Sequence, residues 1–148
     1  IYRTRQDIGG IVHAHPRFAT VMSVLASPMS VVCHEGAYIT SLGIPVFDDM
    51  NLISTDETGN GVAQTLGHGS AILLKAHGAV TTGKSIVDAF VLLNYLEDNA
   101  QRQYMAQQIG TPYSFTPEEI ALCREKLWNA NLFKRTWDHF SAKLDEAP

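Results

Sequence analysis

The chain has 148 residues, 45% hydrophobic and 18% charged, with a formal net charge of −4. That length predicts a single domain, 1–148, with enough chain to bury a core. The absence of a basic stripe argues against nucleic acid and the absence of a long apolar run against a membrane span, while two distant cysteines without CxxC spacing fit a reducing, cytoplasmic setting.

The first residues, Ile1-Tyr2-Arg3-Thr4-Arg5-Gln6-Asp7, carry neither Met nor a signal segment and read as the last turn of a helix entering a strand. That strand is expected over Ile8–His15. Alternate residues of a strand share a face, so His13 and His15 point the same way, about 7 Å apart. Pro16 supplies a reason for the bend that would bring both imidazoles onto one ion. Two readings of the pair stand at this point: half of a metal site, or two polar residues closing a strand.

A short helix is expected next, with Pro16 at its first position and Phe18, Val21, Met22 and Leu25 on one face, ended by Ser27-Pro28. Val31-Val32-Cys33 reads as a short strand leading to His34-Glu35. Tyr38, Ile39 and Leu42 would line a short helix between Gly36 and Gly43. Ile44-Pro45-Val46-Phe47 reads as an edge strand because of its proline, and Asp48-Asp49 as a solvated turn. Ser54 and Glu57 have capping-box spacing. Gly59-Asn60-Gly61 argues against so early a start, which puts the helix body at Val62–Leu66, stopped by Gly67-His68-Gly69.

Ala71–Ala76 is apolar on both faces and is expected as a central strand ending in His77-Gly78. Ala79–Thr82 continues as a strand to a Gly83-Lys84 turn. Ser85 caps the longest helix, which runs to about Gln108 with Gly110 as its stop. Its apolar face is read as Ile86, Ala89, Phe90, Leu93, Ala100 and Tyr104, with Glu97 among them. Thr116-Pro117-Glu118-Glu119 combines a cap, a first-turn proline and a reciprocal glutamate, and starts a helix ending near Trp128. Asn129 interrupts the chain before an amphipathic stretch, Leu132–Leu144, that uses Phe133, Trp137 and Phe140. Strands interleaved with helices predict a layered α/β domain.

His77 raises the weight of the metal reading, because it too closes an apolar strand and Gly78 allows close backbone approach. Three neutral imidazoles converging from strand ends suit zinc or another late divalent ion, with a coordination position left for substrate. Glu97 on an apolar face needs a partner: either it hydrogen-bonds a ligand histidine from behind, or the face is exposed there. Tyr113 and Trp137 read as packing residues.

The segments IVHAHP (11–16), LLKAHGAVTTGKSIVDAF (73–90) and LLNYLEDNAQRQYMAQQIGTP (92–112) resemble the class II aldolase/adducin family over roughly residues 1–117. The resemblance implies a three-layer α/β/α sandwich with a mostly antiparallel central sheet. It implies a homotetramer with intersubunit active sites, and a divalent ion on His13, His15 and His77, zinc foremost, with manganese, iron or cobalt also suited. The expected function is that of a metal-dependent carbon–carbon lyase, of aldolase or decarboxylase type, acting on a small hydroxylated carbonyl or carboxylate compound. A sugar-phosphate 4-epimerase and a non-catalytic adducin-like assembly module are the alternatives. IYRTRQD (1–7) and FKRTWDHF (133–140) are similar to the decarboxylase branch at least as much as to the aldolases. His34 falls where aldolases place a residue that protonates substrate in the neighbouring subunit; a plain strand-end histidine is the other reading. The family's main acid/base, usually Glu, and its phosphate-binding stretch would both lie before Ile1. The chain is therefore expected to be N-terminally incomplete, and inactive if it truly begins there.

Overall fold

The computed structural model describes residues 1–25, 29–40, 43–127 and 129–145. Their elements run β1 (Gly10–Ala14), α1 (Arg17–Met22), a 3-10 turn (Glu35–Tyr38), β2 (Val46–Phe47), α2 (Asp56–Leu66), β3 (Ala71–Leu74), β4 (Gly78–Gly83), α3 (Ile86–Gln107), α4 (Pro117–Leu127) and α5 (Ala130–Asp145). The sheet has the order β1-β4-β3-β2. Both of β4's pairings are antiparallel, and β2 joins β3 in parallel, so the sheet is mixed.

The sandwich follows from the alternation of side chains along β3 and β4. Ala71, Leu73 and Ala79 face a cluster that contains Ala19 and Met22 of α1 and Val91, Leu92 and Leu96 of α3. Ile72, Leu74 and Val80 face the opposite way, onto Val62 and Leu66 of α2. β3 is buried on both faces, as its unbroken apolar run demands. α5 closes the outside of α3, with Trp137 edge-on to Phe90 (ring centroids 5.4 Å apart) and the Tyr95 hydroxyl 3.1 Å from that of Thr136.

Several elements differ from expectation. The opening residues form turns rather than a helical end, with the Thr4 and Arg5 amides donating to the Ile1 carbonyl. α2 begins at Asp56, six residues earlier than its expected body, because Thr55 and Thr58, not Ser54 and Glu57, make the capping box. Gly61 is kept inside that helix for space: a Cβ there would stand 2.8 Å from the Phe47 ring. Pro16 lies just outside α1 in an extended conformation, and Val21 and Leu25 are exposed while Phe18 and Met22 turn inward.

Val31–Cys33 is not a strand. Its backbone is held by side chains of α3 instead: Asn99 Oδ1 accepts from the Val32 amide (2.9 Å), Asn99 Nδ2 donates to the Ser30 carbonyl (2.7 Å), and Gln103 Oε1 accepts from the Ser30 amide (3.0 Å). Burying Asn99 and Gln103 turns the inward stripe of α3 by about one residue, to Ala89, Leu92, Leu96, Ala100 and Gln103, and leaves Ile86 and Tyr104 exposed. β3 stops at Leu74, so Lys75, Ala76 and His77 form the turn of a tight hairpin. The expectations for Ser27-Pro28, Leu42 and Trp128 lie outside the described residues.

Candidate metal centre

β1 lies beside β4 with His13 opposite Val80 and Ala14 opposite Ala79. That register places the end of β1 against the start of β4, and so against the hairpin turn carrying His77. The approach is close. A Cβ on Gly78 would stand 2.4 Å from the Ala14 carbonyl oxygen and 2.8 Å from the His15 ring. Only glycine fits at that position.

The three rings converge. Centroid separations are 5.0 Å for His13–His15, 5.0 Å for His13–His77 and 4.9 Å for His15–His77, and one nitrogen from each ring lies within 4.8 Å of the others. Among the described residues this is the one group of three or more such side chains close enough to share a metal ion. His13 Nδ1 donates to the Ala79 carbonyl (3.0 Å). A carbonyl only accepts, so the neutral ring carries its proton on Nδ1 and leaves Nε2 the lone pair that a metal requires. Burial pushes the His77 pKa down from its ordinary value, with the neighbouring His13 and His15 adding to the shift, which favours the neutral, ligating form. The donor set fits a late divalent ion: three imidazole nitrogens, exposed at His13 and His15 and part-buried at His77.

A cleft of about 560 Å³ opens beside the histidines, walled by His13 and His77 and by Ile11, Val62, Leu74 and Val80. His34 is not brought to the triad. It borders a separate cleft with Asp98, Arg135 and His139, its ring edge-on to Phe115. Glu97 goes to the first turn of α1 and not to an imidazole: its two oxygens accept from the Phe18 and Ala19 amides, each at 2.8 Å. Tyr113 bonds the Glu119 carboxylate at the start of α4, and Asp48 pairs with Lys75. One contact near the site escaped the sequence reading altogether: the Ser23 hydroxyl accepts from the Ala76 amide, next to His77, at 3.0 Å.

Comparison with known proteins supplies the context. Residues 1–104 match the family model described as the class II aldolase and adducin N-terminal domain. The chain belongs to the class II aldolase and adducin family.

Among curated relatives, an L-fuculose phosphate aldolase of Methanococcus maripaludis is 28% identical over 111 residues, covering 74% of this chain and 59% of the relative. The decarboxylase NovR of Streptomyces niveus is 29% identical over 122 residues, covering 82% of the chain and 44% of the relative. A solved L-fuculose 1-phosphate aldolase superposes with a TM-score of 0.77 at 28% identity, over 85% of this chain and 58% of that one. An aldolase II superfamily protein from Pseudomonas syringae shares the fold at a TM-score of 0.75. The chain thus spans little more than half the length of the aldolases it matches. The fold expected from the sequence is that of this family, its sheet being mixed.

Proposed function

We propose that the whole protein is a divalent-metal-dependent carbon–carbon lyase in which His13, His15 and His77 hold the ion. The observation that carries this reading is the convergence of the three rings at centroid separations of 4.9 to 5.0 Å. Three imidazoles and open access suit zinc best. When bound, such an ion supplies Lewis acidity for the electron pair left beside a carbonyl as a carbon–carbon bond breaks.

The chain's own residues position and shield the site. β1 and the hairpin turn fix the ligands at one end of the sheet, and the Ala79 carbonyl orients the His13 ring. The apolar wall of Ile11, Val62, Leu74 and Val80 excludes water from one side of the site, which strengthens any charge interaction made there. Proton transfer is assigned to a carboxylate outside this sequence. His34, on its own cleft, is the candidate acid for a neighbouring subunit's site in a tetramer. The substrate class is a small hydroxylated carbonyl or carboxylate compound, and both aldolase and decarboxylase relatives are compatible with it.

Metal analysis of the purified protein tests the reading. A stoichiometric divalent ion is expected in the wild type and is expected to be lost in His13→Ala and His77→Ala. A folded, assembled protein that takes up no metal would favour the adducin-like assembly module instead.

A further inference from the structure

Resting on the metal reading above, we infer that α1 is a strut that sets the spacing of His15 and His77, and that Glu97 and Ser23 are its two fastenings. His15 is separated from α1 by Pro16 alone, so any displacement of the first turn carries His15 with it. Glu97 holds that turn through both oxygens, each 2.8 Å from an amide, of Phe18 and of Ala19. At the other end Ser23, 2% exposed, donates its hydroxyl proton to the Thr20 carbonyl (2.7 Å) and accepts from the Ala76 amide (3.0 Å). Ala76 precedes His77 and is the one non-glycine residue with positive φ (55°) among the described residues. Side chains disfavour that conformation, and the Ser23 hydroxyl adds to the turn's own His77 amide to Leu74 carbonyl bond (3.0 Å) in holding it.

The helix between these fastenings has six residues, with Ala19 and Met22 fully buried on its inner face. So short a helix is not stable by itself and takes its position from its contacts. Glu97 comes from α3, whose 22 residues form the long rigid element of the domain. One ligand's backbone is thus tied through α1 to α3, and the other's turn is tied to the same α1. Neither Glu97 nor Ser23 needs to touch the ion; both are positioning residues.

The test uses cobalt(II) as the ion, because its visible absorption reports ligand geometry, together with nuclear Overhauser contacts between the His15 and His77 rings of the metal-free protein. Glu97→Gln and Ser23→Ala are each expected to weaken cobalt binding about tenfold, the lower end of what loss of such supporting contacts costs. Both are expected to alter the cobalt spectrum and to weaken the His15–His77 ring contact. Ile120→Ala, in the separate cluster under α4, is the control: it lowers the melting temperature and leaves affinity and spectrum unchanged. Unchanged affinity, spectrum and ring contact in both folded brace variants would overturn the inference, as would an Ile120→Ala protein that shows the same losses. Should Glu97→Gln fail to fold, Ser23→Ala, which removes one hydroxyl, decides alone. A wild type that takes no cobalt sinks the proposed function, and the ring contact in the metal-free protein still decides the strut.

Discussion

Arg5 shows how much one side chain can join in this fold. Its guanidinium bonds both oxygens of Asp7, each at 2.7 Å, and reaches the carbonyls of Gly67 (2.7 Å) and Gly69 (3.2 Å) beyond the end of α2. The hydrogen bonds from Arg5 hold the Asp7 carboxyl at about 2, below its ordinary 3.8. A depressed carboxyl pKa adds stability above the unfolded value and loses it as pH falls through the folded one. The window here runs from about pH 4 down to about pH 2. Wild type is therefore expected to melt above Asp7→Asn at pH 5, with the gap closing by pH 2. The pair is solvent-screened, so the difference will be small; melting curves at the two pH values would show it, and a gap independent of pH would count against the assignment.

At the scale of elements, the largest departures from expectation come from polar side chains that act as backbone partners. Asn99 and Gln103 have no assigned place in the apolar stripe expected for α3, yet they replace the strand ladder that Val31–Cys33 lacks. Their i, i+4 spacing inside an apolar helix was the available signal, but it does not say which distant amides they meet. Asn99→Ala leaves the Val32 amide and the Ser30 carbonyl without these partners. A loss of roughly 2–4 kcal/mol is expected, read from urea unfolding; a loss under about 0.5 kcal/mol would mean that water replaces the side chain. The early start of α2 rests on its Thr55–Thr58 capping box. Gly59 and Gly61 look like helix breakers, but at Gly61 the Phe47 ring leaves no room for a Cβ, so the glycine is a packing requirement and not a stop signal. Where local chemistry and tertiary packing agree, as at the Ser85 cap of α3 and the Thr116–Glu119 box of α4, the sequence reading and the structure coincide.

For the molecule as a whole, a layered α/β domain with β3 at its centre was legible from strands interleaved with helices and from an apolar run on both faces of β3, and the sandwich itself from the family resemblance. Parallel pairing of β2 was not, since two residues of edge strand, Val46 and Phe47, carry no directional signal. The histidines were legible as residues because each closes an apolar run, and their convergence follows from the register of β1 on β4, which spacing alone does not specify. The contacts that hold them in place were illegible, because Ser23 and Ala76 lie 53 positions apart. The most direct test of the central claim is an anomalous-scattering map of the zinc-soaked, crystallised protein. One peak about 2.0–2.1 Å from a nitrogen of each of His13, His15 and His77 is the predicted result; a map with zinc bound elsewhere, and none among these three rings, would contradict it.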